Sequence, residues 1–558
     1  MKLYPELLDA EFWQNVRTNE AYADVLGHIK EQYEIQRTLP MPELPFSARN
    51  RFYDDGDRGS FEAPYFTRRI RLANAAIMSL VYPECDEYLH KVEDLIWMIC
   101  DEYSWSLPAH CNGSYEDDTT SVDLFSSETA LTLTEIAAFL KDRLHERVLR
   151  RVKIEVRSRV LDNYVARKFW WEKSANNWAA VCAGSIGMTM IYAEPEMLEK
   201  YLPCLLETVN CCLESYTSDG ACLEGFDYWS YGFGYYCYFA DMLRIHTNGR
   251  IDLFKNEKVK LMASFPSKNF MLGGTAVSFS DSNIYAKAPT RLVHLLAKEY
   301  KDAAPLPTSD RLKTFDGRWV EMLRYFAFFM PDATPSEVKL SSCLLESAGQ
   351  YITTRGSYSF AVKAGHNDEP HNHNDIGNFI IATKNGQELC DIGSGRYTRQ
   401  YFRAATRYTI FCNSSESHSV PIINGTLQHE GREYRGDLSL GGDRVSLRID
   451  GAYPIDIGKF ERVFDLSDDS ITLRDTWGER VNSITERFVS MTKPTLRDGR
   501  VWFSDVSMKM LNADVTPTVS VSEELSHGST SILVYCIDYE IDPMLGSAEF
   551  EFKVDTNA

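Results

Sequence analysis

The chain has 558 residues and a formal net charge of −21, with 44% hydrophobic and 25% charged residues. Its length predicts two large domains rather than a single core. The acidic balance excludes a general basic face for nucleic acid, and the sequence has no apolar run of about twenty residues that would span a membrane.

Cysteine usage and the N-terminal sequence indicate the compartment. The 13 cysteines include no Cys-x-x-Cys pair, so we expect buried thiols rather than disulfides or a cysteine zinc site. The opening stretch MKLYPELLDAEFWQNV lacks the basic start and apolar run of a secretory signal. These features predict a cytoplasmic protein, or a periplasmic or secreted one if a leader has been removed. The oligomeric state is not readable from the sequence.

A helical region extends from about Phe66 to Phe329. Apolar residues recur at steps of three and four in Glu87–Tyr103, Ala130–Leu144 and Met197–Tyr216, as they do in amphipathic helices. Short breaks between these segments predict antiparallel helical hairpins, which build either a solenoid or a closed (α/α) toroid. Because no repeat of fixed length is visible, the toroid is favoured.

A β-rich region follows the segment Met330–Val338. Apolar and polar residues alternate from there onward, and turn sequences such as KNGQ and SDDS separate the runs. This pattern predicts an antiparallel β-sandwich. The expected fold is multidomain α + β, with a toroid over residues 1–333 and a sandwich over residues 334–558.

Two aromatic-rich motifs lie in the helical region. The first, FWWEKSANNWAAV, has three tryptophans and the pair Asn176–Asn177 at a predicted helix start. The second, SDGACLEGFDYWSYGFGYYCYF, combines Tyr228, Trp229 and Tyr231 with flexible glycines. Flat aromatic side chains hold the apolar faces of sugar rings. Helix capping by Asn177 and core packing of the tryptophans are the alternative explanation.

Histidines and an aspartate mark a third motif, HNHNDIGNFIIATKNGQELCDIGSG. His371 and His373 precede a predicted strand–turn–strand, Asp391 comes 18 residues after His373, and His418 comes 27 residues after Asp391. Imidazole and carboxylate groups gathered from successive strands suit zinc. On a regular strand both His371 and His373 would lie on one face and be available as ligands. Histidines without a function are the alternative.

Taken together, these motifs resemble those of the heparinase II/III-like polysaccharide lyases over most of the chain. The third motif is similar to the family's H-x-H-x-D-x-G-x-F…G…D-x-G signature, and NNWAAV and DGACLEGFDYWSYG are similar to its two toroid motifs. The resemblance implies an incomplete (α/α) toroid followed by an antiparallel β-sandwich. It also implies an enzyme that cleaves 4-linked uronic-acid glycans by β-elimination to give 4,5-unsaturated uronate ends. The implied substrates are heparan sulfate, hyaluronan or chondroitin, with alginate a further candidate.

The resemblance implies catalytic roles for three residues. Asn177 matches the asparagine that neutralises the uronate carboxylate, Tyr228 matches the catalytic tyrosine, and His371 matches a histidine that faces the substrate. Some relatives carry a histidine directly after that asparagine or that tyrosine, where this chain has Trp178 and Trp229. This departure leaves His371 as the one catalytic histidine that the motifs identify.

β-Elimination explains why these residue types are suitable. The C5 proton is removed only if the charge of the neighbouring carboxylate is quenched, which amide and imidazole groups can do. A base must then take the C5 proton and an acid must protonate O4. We expect Tyr228 near cationic groups to ionise below its usual pKa of about 10 and to act as acid, and for one C5 epimer also as base, with His371 the base for the other.

The resemblance further implies a metal site and a substrate cleft. His373, Asp391 and His418 are the implied ligands of one divalent ion, zinc or else manganese, whose role is structural rather than directly catalytic. An acidic oligo- or polysaccharide is the expected partner, with no nucleic acid and no membrane. The residues expected to bind the substrate are Asn176, Trp105, His110, Trp178, Trp229, Tyr231, Arg396 and Tyr397.

Two other functions remain open from the sequence. A glycoside hydrolase on an α/α toroid needs two carboxylates that flank the scissile bond. The four candidates for that pair are Glu172, Asp219, Glu224 and Asp227. A non-catalytic protein that binds acidic glycans would keep the aromatic residues but would not need Tyr228 and His371 together.

Overall fold

The computed structural model of the chain describes residues 3–313, 317–335, 342–528 and 530–555. Helices occupy the N-terminal part, and three of the α-helices end before Phe66, so the helical region begins earlier than predicted. The α-helices of this part are Ala10–Thr18, Ala23–Thr38, Phe46–Asp54, Gly59–Val81, Asp86–Cys100, Tyr115–Thr120, Leu124–Phe139, Glu146–Val156, Asp162–Ala166, Asn177–Ala193, Pro195–Leu213, Phe226–Tyr228, Gly234–His246, Glu257–Ala263, Phe265–Asn269, Thr290–Glu299 and Trp319–Phe328.

The long helices form an inner and an outer layer. Leu124–Phe139 and Asn177–Ala193 pack against each other and are buried on nearly every side. By contrast, Pro195–Leu213 and Glu146–Val156 bury one face and expose the other. A helix that is apolar all round lies inside a fold, and an amphipathic helix lies at its surface. This layering is that of the predicted (α/α) toroid, in which the inner helices are not amphipathic.

Strands occupy the C-terminal part and pair in antiparallel fashion, as predicted, and they form three sheets. A five-stranded sheet has the order Cys343–Leu345, Gln350–Arg355, Tyr358–Lys363, Phe379–Thr383, Gly386–Leu389. A nine-stranded sheet has the order Thr495–Arg497, Arg500–Trp502, Val506–Met510, Ser547–Val554, Ser470–Trp477, Phe460–Leu466, Arg444–Arg448, Gly431–Gly441, Gly365–Asn367. A four-stranded sheet has the order Thr518–Leu525, Ser531–Ile541, Ile484–Ser490, Ile422–Ile423.

The five-stranded sheet joins the two parts of the molecule. Along its strand Phe379–Thr383, Phe379 and Ile381 point into the sandwich core, whereas Ile380 and Ala382 belong to the core of the toroid. Successive side chains of a strand point to opposite faces, so one sheet contributes to both cores. One face of this sheet therefore lies against the helices.

The predicted domain boundary lies between the helix Trp319–Phe328 and the strand Cys343–Leu345. Residues 336–341 of this segment are outside the described residues, so the division at residues 333 and 334 stays a prediction. Among the helices that the structure describes, none is both long and apolar enough to cross a bilayer.

Candidate active site

Asn177 reaches the site from the first turn of an inner helix. Its neighbour Asn176 is the cap, because the Asn176 side chain accepts a hydrogen bond from the Trp178 backbone N–H at 3.1 Å. The Asn177 amide is thereby available for another contact, and its Nδ2 donates to Glu224 Oε2 at 2.8 Å. Gly232 allows this arrangement, since a Cβ there would lie 2.9 Å from the Asn177 Cβ.

Tyr228 reaches the same place from the start of a distorted helix. The α-helical turn Phe226–Tyr228 is followed by a π-helical turn, Trp229–Phe233, of the kind that often marks functional sites. The Tyr228 ring lies against the His371 imidazole, with 4.1 Å between ring centroids. Its hydroxyl lies 2.9 Å from the hydroxyl of Tyr397.

His371 lies in a loop of the sandwich, between the strands Gly365–Asn367 and Phe379–Thr383. Its φ of 59° is in the left-handed region, which is uncommon for non-glycine residues. The side-chain alternation of a strand therefore does not apply to His371 and His373. His371 Nδ1 lies 2.6 Å from Asp281 Oδ2, and Nε2 lies 3.5 Å from Glu224 Oε2.

His373, Asp391 and His418 form a buried group suited to a metal ion. One possible ligand atom from each residue lies within 4.8 Å of those of the other two. His373 Nδ1 and His418 Nε2 are buried and have no hydrogen-bond partner among the described residues. Buried imidazole nitrogens are costly without a partner, and a cation would provide one. The three residues therefore fit a divalent ion.

Further contacts orient two of these side chains, His373 and Asp391. His373 Nε2 lies 3.0 Å from Asp281 Oδ1, the carboxylate contact that metal-binding histidines usually make through their other nitrogen. Asp391 accepts hydrogen bonds from Asn378 Nδ2 at 2.9 Å and from the Gly393 backbone N–H at 2.8 Å.

Burial and local charge set the protonation of the site. Burial, followed by the negative charge of Asp281, raises the pKa of Tyr228 well above its usual value. This overturns the expectation that cationic neighbours lower it, and the phenol is protonated at neutral pH. Burial also raises the pKa of Glu224. Although burial opposes it, the Arg407 guanidinium and the hydrogen bonds from His371 and His373 hold the pKa of Asp281 well below its usual range.

Comparison with known proteins identifies the fold. No protein-family model matches the chain, and no curated protein sequence does. A crystal structure of heparinase III superposes with a TM-score of 0.65 at 14% identity, covering 99% of this chain and 92% of that one. The heparan sulfate lyase HepC from Pedobacter heparinus gives a TM-score of 0.55 at 12% identity, covering 98% and 91%. The chain has the fold of the polysaccharide lyases.

A third solved structure with this fold is the chondroitin AC lyase of Streptomyces coelicolor A3 in complex with chondroitin sulphate. It superposes with a TM-score of 0.56 at 11% identity, covering 100% of this chain and 83% of that one. The fold class implied by the motifs, a toroid followed by a sandwich, is thus confirmed. At these identities the likeness concerns the fold, and the roles of individual residues depend on the geometry of the site.

Two of the residues expected to bind substrate form an aromatic shelf beside the candidate site. The Trp178 ring contacts the His110 imidazole, with 4.7 Å between centroids, and His110 is held by Asp123 at 2.7 Å. Trp170 extends the shelf, because it lies 4.8 Å from Trp178 and is 61% exposed. Its neighbour Trp171 is buried, so core packing explains that tryptophan but not Trp170.

Three of the predicted substrate contacts are corrected by the structure. Trp105 and Trp229 are 2% and 0% exposed, and their indole N–H groups donate to the carbonyls of Ile99 and Met262. Both belong to the core. Tyr231 lies under the Arg318 guanidinium with its hydroxyl buried, so it faces the interior of the toroid.

Arg396 and Tyr397 are near the site but differ in their contacts. Arg396 Nη2 pairs with Asp57 Oδ1 at 2.7 Å, a bridge between sandwich and toroid. Tyr397 contacts Tyr228, as described above, and the His527 imidazole, with 3.9 Å between ring centroids. Tyr397 is therefore the better placed of the two to act at the site.

Asp281 is the main residue that sequence reasoning missed. It lies in the segment SFSDSN, which carries no motif, and a single sequence does not reveal that it meets both histidines.

The four carboxylates considered for a hydrolase differ in the groups that they contact. Glu172 binds Lys168, Asp219 binds the Ser347 backbone N–H, Asp227 binds the Asn283 backbone N–H, and only Glu224 contacts Asn177.

Proposed function

We propose that the protein is a polysaccharide lyase that cleaves acidic glycans at 4-linked uronic acids by β-elimination. The observation that carries the proposal is the convergence of Asn177, Tyr228 and His371 where the toroid meets the sandwich. These residues come from three distant segments, and together they supply the amide, the phenol and the imidazole that the reaction requires.

Asn177 and His371 are suited to the first half of the reaction. Asn177 uses one Nδ2 proton on Glu224, which leaves the second for the uronate carboxylate. His371 Nδ1 contacts the ionised Asp281, which can only accept, so Nδ1 carries the imidazole proton. The Nε2 lone pair is then available to take the C5 proton.

Tyr228 is suited to the second half because its phenol is protonated. As the C5–H bond breaks, the proton moves to His371 Nε2 and the electron pair forms the C4–C5 double bond. The C4–O4 bond breaks as Tyr228 donates its proton to O4. After the products leave, the proton on His371 Nε2 has to return to the phenolate of Tyr228, whose ring lies against the imidazole.

We infer that His373, Asp391 and His418 hold one divalent ion, with zinc the best match to two imidazoles and a carboxylate and manganese the alternative. When bound, the ion would hold in place the loop that carries His371. His373→Ala is expected to lose the metal and to lower the melting temperature, as measured by elemental analysis and thermal unfolding. Full metal content in this variant would rule out its role as a ligand.

The charges around the site favour a substrate with few sulfate groups. Sulfate is bound best by arginines whose guanidinium groups are not already paired. Three arginines near the site each bind a carboxylate of the protein. The pairs are Arg58–Glu62, Arg396–Asp57 and Arg407–Asp281.

An ultraviolet assay tests the function and the substrate class. The protein is incubated with hyaluronan, chondroitin, unsulfated heparosan, heparan sulfate, heparin and alginate, and the absorbance of the new C4–C5 double bond is followed. We expect cleavage of an unsulfated or weakly sulfated uronate polymer and little cleavage of heparin. New reducing ends without the chromophore would indicate a hydrolase, and binding without cleavage would indicate a glycan-binding protein. The cytoplasmic location stays a prediction.

A further inference from the structure

Asp281 belongs to the toroid, and its two carboxylate oxygens are used by two different histidines of the sandwich. Oδ2 lies 2.6 Å from His371 Nδ1, and Oδ1 lies 3.0 Å from His373 Nε2. Tyr401 donates its hydroxyl proton to Oδ1, and Arg407 Nη2 lies 3.3 Å from both oxygens. Asp281 is 2% exposed, so water does not compete for these contacts.

We propose that Asp281 is a positioning residue that transmits the geometry of the metal group to His371. Asp281 holds the Nε2 side of the His373 ring, and an ion bound by His373, Asp391 and His418 would hold its other nitrogen, Nδ1. Because the same carboxylate holds His371, neither imidazole can rotate without moving the other's acceptor. The left-handed φ of His371 strengthens the argument, since a strained residue keeps its conformation only where its contacts determine it.

The segment around Asp281 reaches the other parts of the site as well. Ser278 Oγ donates to the Asp391 carbonyl at 2.8 Å, beside a proposed metal ligand. Ser282 Oγ accepts a hydrogen bond from the Phe226 backbone N–H at 2.5 Å, in the turn that carries Tyr228. One toroid segment thus contacts the loop that begins at Asp391 (the metal loop), the loop of His371 and the helical turn of Tyr228.

A simpler role for Asp281 would be that of counter-ion to Arg407. The distances argue against this as the whole role, because the carboxylate is closer to His371 and His373 than to the guanidinium. A counter-ion would also not need one oxygen directed to each histidine.

The test uses Asp281→Asn in the full-length, metal-loaded protein. An asparagine keeps the shape of the side chain, but its Nδ2 cannot accept a hydrogen bond from an imidazole N–H. Loss of such an orienting contact typically costs 10- to 100-fold in metal affinity or activity. We expect kcat to fall by about 10- to 100-fold with KM changed less than about twofold, since the contact orients His371 and does not touch the substrate. Asp219→Asn is the matched control, because Asp219 also links the toroid to the sandwich, through the Ser347 backbone, and should keep the kcat of the parent protein.

A double-mutant cycle measures the coupling between His373 and Asp281. His373→Ala should lower kcat in the parent protein but have much less effect in the Asp281→Asn background, because the link is already broken there. Equal effects in the two backgrounds, or a parent-like kcat for Asp281→Asn, would overturn the proposal.

Because the kinetic readouts rest on the proposed function, a readout independent of turnover is needed. In protein labelled with nitrogen-15 histidine, the His371 Nδ1–H bound to Asp281 should give a downfield resonance that disappears in His371→Ala. We expect this resonance to shift or broaden when the metal is removed from the parent protein by chelation. An unchanged resonance after the metal is gone would contradict the coupling, even if the protein proves not to be a lyase or if the aspartate variant fails to fold.

Discussion

Tyr228 lies between an imidazole and a second phenol, so its role can be separated from that of its neighbour. Tyr228→Phe removes the proposed acid, whereas Tyr397→Phe removes only the hydroxyl that lies 2.9 Å from it. We expect the first change to lower kcat by about 10²- to 10⁴-fold. The second, which loses one hydrogen bond, should lower it by about tenfold or less.

Thermal unfolding should be nearly the same for both tyrosine variants, since each keeps its ring in place. If Tyr228→Phe turned over at close to the normal rate, the phenol would not be the acid. A larger loss in Tyr397→Phe than in Tyr228→Phe would transfer the role to Tyr397.

Trp170 is an exposed indole next to the site, and its exposure has a functional explanation. It extends the shelf formed by Trp178 and His110, on which a sugar ring one or more units from the cleaved bond can stack. Trp170→Ala should raise KM for polymer by about three- to tenfold and leave kcat nearly unchanged. Trp97→Ala, which removes a 42% exposed indole from another helix, is the control and should change neither constant. Equal kinetics for both variants would remove Trp170 from the substrate site.

Individual residues differ in how far the sequence predicts them. Three motifs indicated Asn177, Tyr228 and His371, one residue in each, and the structure brings all three together. Nothing in the local sequence distinguishes Trp105 and Trp229 from Trp170, yet of these three tryptophans only Trp170 is exposed. Burial depends on contacts between distant segments, and local composition does not encode these contacts.

Among the elements, the helix Leu124–Phe139 depends on its first residues. Its cap, Asp123, accepts hydrogen bonds from the Ser126 backbone N–H at 2.7 Å and the Leu107 backbone N–H at 3.1 Å, and also contacts His110. Although burial opposes it, the hydrogen bond with His110 and its charge hold the pKa of Asp123 below its usual value. The cap therefore links helix stability to the position of a residue on the aromatic shelf.

Asp123→Asn should lower the free energy of unfolding by about 1–3 kcal/mol at pH 7, the value of hydrogen bonds to a charged group. A carboxylate with a depressed folded-state pKa stabilises the protein above its unfolded-state pKa of about 3.9. This contribution disappears as the pH falls through the folded-state pKa. Urea unfolding from pH 7 downward should therefore show the difference between parent and variant narrowing in acid. Asp9→Asn, at the exposed cap of the helix Ala10–Thr18, should show little difference at any pH.

The hairpins are the elements that the sequence predicts best. Alternating residues around KNGQ and SDDS indicated strands that the structure has at Phe379–Thr383, Gly386–Leu389, Phe460–Leu466 and Ser470–Trp477. Their period and turn chemistry are local, so a single sequence carries the information. The π-helical turn Trp229–Phe233 has no such local signal, although it shapes the segment that follows Tyr228.

At the scale of the whole molecule, the site exists only where the two parts are docked. Sandwich loops meet the toroid through several contacts besides those of Asp281. They include Tyr228–Tyr397, Arg396–Asp57, Ser218–Ser347 and the hydrogen bond from the Ser394 backbone N–H to the Ser282 carbonyl. The motifs indicated which residues share the site, but the segment that joins them, Ser278–Ser282, follows from the packing of the five-stranded sheet on the helices. That packing involves residues far apart in the chain and is not readable from local patterns.

A substitution at Gly393 tests whether the docking of the sandwich on the toroid controls activity. Its φ is +65°, and a Cβ there would lie 1.8 Å from the Ser282 carbonyl oxygen, so Gly393→Ala must push the metal loop away from the toroid. Gly425 offers a matched control in the sandwich, because its φ is +67° but an added Cβ would meet no atom of the described residues within 4 Å, its chain neighbours aside. Both substitutions carry a left-handed backbone cost of about 1–2 kcal/mol, and only the first also separates the two domains.

We therefore expect Gly425→Ala to lower the melting temperature slightly and keep turnover, whereas Gly393→Ala loses more than about tenfold in kcat, since a displacement of about 1 Å at an active site can cost 10²-fold. Circular dichroism should show the helices and strands intact in both variants. Similar kcat values for the two would mean that the site tolerates movement between the domains. A large loss confined to Gly393→Ala would show that the chemistry depends on how closely the sandwich loop approaches Ser282.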